Sequence, residues 1–463
     1  MDKKRQNYFI VGLATLLALI GLCVFLYKER VIVSDMSFLM TYLLIEQKPY
    51  FFFVRIVAVL PQFFALVAIW CHCSLQTAMI ILSMSTQLLY LIIYLVAFKF
   101  SKKRILFFLV PLNLVLLVNE VFFWPVSEVQ QGLIWLCLYA VFLFEKKWEQ
   151  HSLLKWLGIN IAIIIWVQFL HILLFFPILF LIIYYYDSES ALFSRKSFYH
   201  LSVCLIVFAI RYKIGTLNWY EKEKMHLGEA IRHNLPHFFS LASVQAFLHR
   251  LPACYSLYLL LLAGTLIWLL MHKRYMGTLV MMVFSLGYWI LVMISSAEDT
   301  RFYSENMLLP LGFMVSLAIV ADIIPTLNMN YTPLLFLLII VIRLGGIYQS
   351  HYDYTVHDSV YTPYLDYLKD KSLNGVIVDN KLIDQKKAIV TWSSSYETLL
   401  ITALVSPDSC RVVLMNDNIS KYNRYLQSDT MLITTYEVWG KSQLPERYFK
   451  LRGGKYETLT RQP

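Results

Sequence analysis

Residues 8–27 read YFIVGLATLLALIGLCVFLY and contain no charged side chain. A helix needs about 20 predominantly apolar residues to cross the hydrocarbon core of a bilayer, and this run is long enough. Lys3, Lys4 and Arg5 precede it, and basic flanks remain on the cytoplasmic side of a membrane. No small-residue cleavage site follows the run. We therefore predict an uncleaved first span with a cytoplasmic N-terminus.

The rest of the chain continues this apolar pattern. Of its 463 residues, 59% are hydrophobic, and its mean hydropathy of +0.59 lies far outside the range of soluble globular proteins. The predicted fold class is a polytopic α-helical membrane protein with about 11–13 transmembrane helices. Runs that could cross or nearly cross a membrane lie near 8–27, 55–71, 75–98, 104–123, 130–144, 156–170, 172–186, 199–213, 252–271, 277–295, 305–324 and 332–348.

Basic residues between the runs predict the topology, because they stay in the cytoplasm. Alternation then puts external loops near 28–54 and 214–251, and everything after 349, on the outer face. Most of the formal charge of +10 lies before residue 350, where it would meet anionic lipid headgroups and not nucleic acid. The cytoplasmic clusters are 102–104, 146–147, 195–196 and 273–274.

The segment after the first span has two solutions. Either 37–53 also crosses the membrane, or 55–71 enters it without crossing. The polar cluster Glu46-Gln47-Lys48-Pro49 makes 37–53 a poor hydrocarbon helix, and its aromatic residues suit the membrane interface. Both solutions leave the C-terminal part of the chain outside.

From residue 350 the composition becomes that of an ordinary soluble domain. A helix with Glu397 in its first turn is predicted at 394–405. Strands alternating with helices predict a small α/β domain with a partly parallel sheet. The chain therefore divides into a transmembrane domain, 1–349, and an extracytoplasmic α/β domain, 350–463. Short β-branched runs predict strands at 375–379, 388–392, 411–415 and 430–434.

Several polar residues are assigned to the outer mouths of the spans. Charged groups at a membrane edge are candidates for a functional site, because a cavity, a partner or a substrate must solvate them. Asp35 directly follows the first span, and Arg301 offers a guanidinium suited to bidentate phosphate contact. The set comprises Asp35, Arg55, Glu120, Glu128, His171, Asp299, Arg301 and Tyr303.

These residues also have structural explanations. Asp35 could be a solvated loop acid, Arg55 could extend to the membrane interface, and His171 could pack between helices. Glu128 could open a span, where the helix macrodipole favours an acid. Arg301 could pair with an acid of its own loop. The residues alone leave both kinds of explanation open.

A metal site is weakly indicated. His233 and His237 have the spacing of two ligands on one helix face. The Asn234-Leu235-Pro236 between them favours a break in that helix. No metal ligand is assigned, and no cofactor is firmly predicted, although a divalent cation stays open.

The arrangement resembles the GT-C superfamily of glycosyltransferases, which are polytopic enzymes that use polyprenyl-phosphate-linked sugars at the outer face of a membrane. The likeness covers nearly the whole chain. This sequence departs from many members of the superfamily in having a single acid, Asp35, instead of an acidic pair. The difference leaves metal dependence open. The segments that carry the resemblance are Ser34-Asp35, Pro125-Val126-Ser127-Glu128, and Arg301-Phe302-Tyr303 followed by Leu308-Leu309-Pro310-Leu311.

The resemblance implies sugar transfer from a polyprenyl-phosphate donor in the bilayer of the cytoplasmic (inner) membrane to a glycan, lipid or protein acceptor. Asp35 would be the general base, and the aromatic stretch 42–53 would guide the polyprenyl tail. The other implied roles are Glu128 as a second catalytic carboxylate, Arg301, Arg55 and Tyr303 on the donor phosphate, and His171, Asp299 and Glu120 as substrate-positioning residues.

Two other functions stay open. A transporter or flippase for a lipid-linked or anionic solute could use the same charged residues, although it would place them near the bilayer midplane. A non-catalytic envelope assembly protein would use the C-terminal domain to bind a partner, and Asp35 and Arg301 would then be dispensable.

Overall fold

The computed structural model describes residues 3–51, 55–102, 104–145, 152–217, 222, 227–298, 302–327, 331–384, 387–426, 431–451 and 456–461. Within these residues, seven helices are long and apolar enough to cross a membrane, and shorter apolar helices of 10–17 residues accompany them. The long helices indicate a membrane-embedded protein, and the full number of crossings stays a prediction. The seven are Lys3–Phe25, Leu75–Phe100, Arg195–Gly215, Ala242–Met271, Tyr275–Ser295, Tyr303–Thr326 and Thr332–Asp370.

The described helices, in chain order, are α1 (Lys3–Phe25), α2 (Tyr27–Val31), α3 (Asp35–Glu46), α4 (Gln62–Trp70), α5 (Leu75–Phe100), α6 (Leu109–Val115), α7 (Glu128–Phe144), α8 (Leu153–Gln168), α9 (Phe175–Ser188), α10 (Arg195–Gly215), α11 (Leu227–Asn234), α12 (Ala242–Arg250), α13 (Ser256–Met271), α14 (Tyr275–Ser295), α15 (Phe302–Ala318), α16 (Ile324–Thr326), α17 (Thr332–Gln349), α18 (His351–Ser359), α19 (Thr362–Asp370) and α20 (Ser394–Val405). Short 3₁₀ helices lie at Ile56–Val59, Leu106–Phe108, Glu120–Phe123, Ile172–Leu174, Leu235–Ser240, Asn380–Leu382, Pro407–Ser409, Ile419–Tyr425 and Lys441–Gln443. Single turns of π-helix lie at Leu251–Tyr255 and Ile319–Ile323.

The first span packs closely against α5 because a glycine faces that helix. A Cβ atom at Gly12 would lie only 2.5 Å from the hydroxyl oxygen of Tyr94. The Tyr94 hydroxyl donates to the carbonyl oxygen of Phe9 (2.8 Å), and the two rings stack with centroids 5.8 Å apart. This contact sets the position of the first span, and therefore of the turn that follows it.

Residues 116–127 form a buried, mostly irregular segment, which we call the inner loop. The sequence predicts one span over 104–123, but α6 ends at Val115 and the chain then turns repeatedly until α7 begins. A buried irregular backbone requires other protein groups to satisfy its N–H and C=O groups. Arg343 of α17 donates to the carbonyl oxygens of Val115 and Val118, each at 3.0 Å. These bonds replace the continuation of α6.

Other side chains satisfy the remainder of the inner loop. The buried Glu305 accepts the backbone N–H groups of Asn119 (2.6 Å) and Val121 (3.1 Å). The Tyr354 hydroxyl donates to the carbonyl oxygen of Glu120 (3.0 Å). Polar groups from α15 and α18 therefore hold the loop at a fixed position between the spans.

Two short helices follow the first span. α3 has 12 residues and α4 has nine, so each is shorter than a hydrocarbon core of about 30 Å at 1.5 Å of rise per residue. The sequence leaves open whether 37–53 crosses the membrane or lies at its interface; in the structure most of α3 is buried by the rest of the chain. Phe38 of α3 packs edge-on against Tyr396 of α20, with ring centroids 5.3 Å apart. The C-terminal domain therefore covers α3.

The C-terminal domain contains a three-stranded parallel sheet of order β2-β1-β5 and an antiparallel β3-β4 hairpin. Helix α20 packs against β2. The predictions of strands at 375–379, 411–415 and 430–434 and of a helix at 394–405 are confirmed within one or two residues. The strands are β1 (Gly375–Asp379), β2 (Val412–Asn416), β3 (Met431–Ile433), β4 (Val438–Gly440) and β5 (Tyr456–Leu459).

The predicted strand at 388–392 is wrong. That segment has no regular structure, because tertiary partners take the groups that a sheet would pair. The backbone N–H of Ile389 donates to Nδ1 of His357 (3.0 Å), and the carbonyl oxygen of Trp392 accepts the Thr435 hydroxyl. The strand β5, which the sequence did not predict, pairs with β1 instead.

One hydrophobic core joins the C-terminal domain to the segment after the first span. It includes Met36 and Leu66 from the helices α3 and α4 and Leu399 and Leu414 from the domain. The Tyr448 hydroxyl also donates to the carbonyl oxygen of Cys73, before α5 (2.9 Å). The two parts of the chain therefore pack as neighbours and share buried apolar surface.

Candidate functional site

Asp35 is the first residue of α3 and is half-buried. The residue before it, Ser34, has φ 57° and ψ −139°, a conformation that side-chain-bearing residues rarely adopt and that costs about 1–3 kcal/mol. The Ser34 carbonyl oxygen accepts the N–H of Ser37 (3.1 Å), which begins the helix. A strained turn thus presents Asp35 at the N-terminus of α3, where the helix dipole stabilises a negative charge.

Glu128 and Arg55 form a buried ion pair. The Nη1 atom of Arg55 lies 2.8 Å from Oε1 of Glu128, and the two side chains are only 9% and 8% exposed. Glu128 begins α7, whose N-cap Ser127 accepts the N–H of Gln130 (3.1 Å). The sequence assigns Arg55 to a phosphate and Glu128 to catalysis, whereas in the structure each charge is balanced by the other.

Glu120 forms a separate ion pair with another arginine, Arg250. Nη2 of Arg250 lies 3.0 Å from Oε1 of Glu120. Arg250 ends α12, just before the π-helical turn Leu251–Tyr255, and π-bulges of this kind within helices are frequent at functional sites. Its side chain is 26% exposed, so it is more accessible than Arg55. Arg250 was not among the residues predicted from the sequence, although a basic residue directly before an apolar run that begins at Leu251 is a usable signal.

Helix α15 brings Tyr303 to the inner loop. The rings of Tyr303 and Trp124 meet edge-on with centroids 5.0 Å apart. One turn later, Asn306 accepts the hydroxyl of Ser127. Trp124 belongs to the large apolar cluster that also includes Met36, one residue after Asp35. Segments distant in sequence therefore converge around the inner loop and the start of α3.

Of the remaining predicted residues, His171 lies on another segment, and Asp299 and Arg301 are outside the described residues. His171 is buried and begins the short helix Ile172–Leu174, where its Nδ1 accepts the N–H of Leu173 (3.3 Å). That helix packs on α7, because a Cβ at Gly132 would meet Leu174 at 2.2 Å. Asp299 and Arg301 lie outside the described residues. The roles predicted for all three stay predictions.

Metal binding gains no support from the histidine pair. α11 ends at Asn234, and His237 has a non-helical φ of −112°, so His233 and His237 do not share one regular helix face. Across the described ranges, no group of three or more His, Cys, Asp or Glu side chains could hold a metal ion. A divalent cation stays a possibility for the chain as a whole.

Three carboxylates of the candidate site could take part in proton transfer. They are Asp35, Glu120 and Glu128, and the last two have arginine partners. Asp35 is the most exposed of the three carboxylates. A half-buried carboxylate at a rigid turn can accept a proton from a bound hydroxyl group, provided that the two oxygens come within hydrogen-bond reach.

No protein-family model, curated protein or solved structure matches this chain.

Proposed function

We propose that the chain is a glycosyltransferase of GT-C type, which moves a sugar from a polyprenyl-phosphate donor to an acceptor at the outer face of the cytoplasmic membrane. Contacts made by some of the residues selected from the sequence support this proposal. Arg55 contacts Glu128, and the Tyr303 ring meets that of Trp124, which belongs to the same apolar cluster as Met36, the residue after Asp35. These contacts join two of the residues selected from the sequence, Arg55 and Glu128, and bring Tyr303 to the inner loop.

In the proposed reaction, an acceptor hydroxyl oxygen attacks the anomeric carbon of the donor sugar. The bond between that carbon and the phosphate oxygen breaks, and its electron pair leaves on the lipid phosphate. The Asp35 carboxylate takes the proton of the acceptor hydroxyl. A fixed cation stabilises the negative charge that develops on the phosphate, which is usually the largest catalytic contribution.

Two arginines are proposed to supply that cation. Arg301 is the first candidate, and the only support for it is the resemblance to GT-C glycosyltransferases. Arg250 is the second, because it is partly exposed and pairs with Glu120 of the inner loop. Arg55 is buried against Glu128 and would act mainly by keeping that carboxylate oriented. Trp124 is buried, so of the two rings the half-buried Tyr303 is the one proposed to contact a sugar or the first isoprene units.

The test is a transfer assay with purified protein in lipid nanodiscs. A panel of radiolabelled polyprenyl-phosphate sugars is supplied with membrane-derived acceptors, and free polyprenyl phosphate is measured. We expect Asp35→Asn to lower transfer by at least about 100-fold, since a general base contributes on the order of 10²–10⁴. The exposed Asp370→Asn is the control and should retain full activity. Wild-type transfer by Asp35→Asn would remove Asp35 from the role of base.

The same assay separates the other functions. A flippase would release no free polyprenyl phosphate, and in sealed liposomes it would move the labelled lipid to the other leaflet without cleaving its phosphate–sugar bond. An assembly protein would do neither, and its cellular phenotype would survive Asp35→Asn. Cleavage that depends on acceptor and on Asp35 is the outcome that the proposed function requires.

A further inference from the structure

The carboxylate of Glu397 contacts Ser34, in the turn between the first helix and α3. Glu397 is fully buried in the first turn of α20, and its two oxygens accept four hydrogen bonds. Oε1 accepts the backbone N–H of Ser34 (2.9 Å) and the hydroxyl of Ser393. Oε2 accepts from Nε2 of His357 (2.7 Å) and from the hydroxyl of Tyr361 (2.6 Å). All four partners can donate, as a buried carboxylate requires.

The histidine in this cluster has a defined tautomer. Nδ1 of His357 accepts the backbone N–H of Ile389 (3.0 Å), so the ring proton lies on Nε2 and points at Glu397. The imidazole, a tyrosine hydroxyl and a serine hydroxyl therefore fix the carboxylate from within the C-terminal half of the chain. The fourth donor, the N–H of Ser34, comes from the other end of the sequence, 363 residues away.

The bond to Ser34 acts on the backbone that carries Asp35. Ser34 is held at φ 57° and ψ −139°, which an L-residue adopts only when its surroundings over-determine it. Without the carboxylate, the Ser34 N–H loses its partner and the strained peptide is free to relax. Since Asp35 is the next residue, relaxation would displace its side chain.

We propose that Glu397 is a positioning residue for Asp35, so that the C-terminal domain completes the catalytic site instead of serving only as an appendage. This assignment rests on the proposed function, because it gives Asp35 the role of base. Displacement of a catalytic group by about 1 Å can cost on the order of 100-fold in rate. The fold thereby couples the attachment of the domain to the geometry of the base.

The experiment combines kinetics with hydrogen exchange on the full chain in nanodiscs. Glu397→Gln keeps the shape but places an amide NH₂ among donors, so at least one bond is lost. We expect kcat to fall about 100-fold with the donor KM unchanged, and backbone protection to be lost in a peptide covering 32–38. Ser393→Ala removes one donor and keeps the carboxylate, so it should give a smaller change of the same kind.

Glu457→Gln is the matched control, because Glu457 is an exposed glutamate of the same domain whose carboxylate accepts the Tyr367 hydroxyl (3.0 Å). It should leave both readouts unchanged. Unaltered protection at 32–38 in Glu397→Gln would overturn the proposal, as would lost protection throughout the domain or an unchanged kcat despite lost protection at the turn. A wild-type protein without transfer activity would instead contradict the proposed function, while the exchange data would still decide whether Glu397 holds the turn.

Discussion

The ion pair of Arg55 and Glu128 puts two opposite charges in a nearly dry environment. Removing one partner leaves the other charge desolvated without the group that balanced it, which typically costs about 3–5 kcal/mol. We expect Glu128→Ala to lower the unfolding temperature sharply, whereas Arg55→Met combined with Glu128→Leu should recover most of that loss. Differential scanning fluorimetry of the purified variants measures both effects.

The pair of Lys48 and Glu46 is the control for this prediction. Its nitrogen and oxygen are 2.9 Å apart, but the side chains are 60% and 28% exposed. Exposed pairs contribute about 0–1 kcal/mol because water and salt screen them. Lys48→Met should therefore leave the unfolding temperature nearly unchanged. Equal losses in Lys48→Met and Glu128→Ala would mean that burial does not decide the strength of the pair.

At the scale of elements, the packing of α1 on α5 depends on the absence of a side chain at Gly12. A Cβ there would already approach the Tyr94 hydroxyl to 2.5 Å, and overpacking of this kind costs about 1–3 kcal/mol. We expect Gly12→Val to destabilise the protein and to lower transfer, because the first span carries the turn before Asp35. Unfolding temperature and initial transfer rate are the two measurements.

Gly21 of the same helix provides the comparison. A Cβ at Gly21 would meet nothing within 4 Å, so Gly21→Val introduces the same side chain at an open position. Its stability and activity should remain close to wild type. If Gly21→Val were as damaging as Gly12→Val, helix propensity and not the contact with α5 would be the cause.

At the scale of the whole molecule, acidic groups lie between the C-terminal domain and α3. Burial, with a smaller contribution from the Glu46 carboxylate of α3, raises the pKa of Glu437 beside β4. Protonation of Glu437 is thus easier in the folded protein. Its stabilising contribution is complete below the ordinary glutamate pKa of about 4.3 and is lost as pH rises through the raised folded-state value.

We therefore expect the unfolding temperature of the wild type to fall more steeply above about pH 4.3 than that of Glu437→Gln, which cannot ionise. A pH series of thermal unfolding, followed by tryptophan fluorescence, measures the difference. Glu446→Gln, at an exposed position of the same domain, should follow the wild type. Parallel profiles for wild type and Glu437→Gln would show that Glu437 does not couple docking to pH.

Local patterns predicted most of the elements. The apolar runs predicted long helices such as α1, α5 and α14, because hydropathy and length need no information from the rest of the chain. The β-branched runs predicted β1 and β2. The segment 388–392 has the same composition as these strands, yet His357 and Thr435 take its backbone groups. Composition gave no sign of those distant partners.

The candidate site likewise has a part that could be predicted from the sequence and a part that could not. Charge at the membrane edge was enough to select Asp35, Glu120, Glu128 and Arg55, because a desolvated charge is costly wherever the chain folds. Their partners were not predictable, since a pairing such as Arg55 with Glu128 depends on how α7 packs.

By itself, the sequence determined a helical, membrane-embedded protein with a small C-terminal α/β domain, because apolar periodicity is a local property. Only the tertiary structure decided that α6 stops at Val115, that β5 joins the sheet, and that Glu397 accepts the N–H of Ser34. The physical reason is that burial and hydrogen-bond satisfaction depend on segments far apart in the chain.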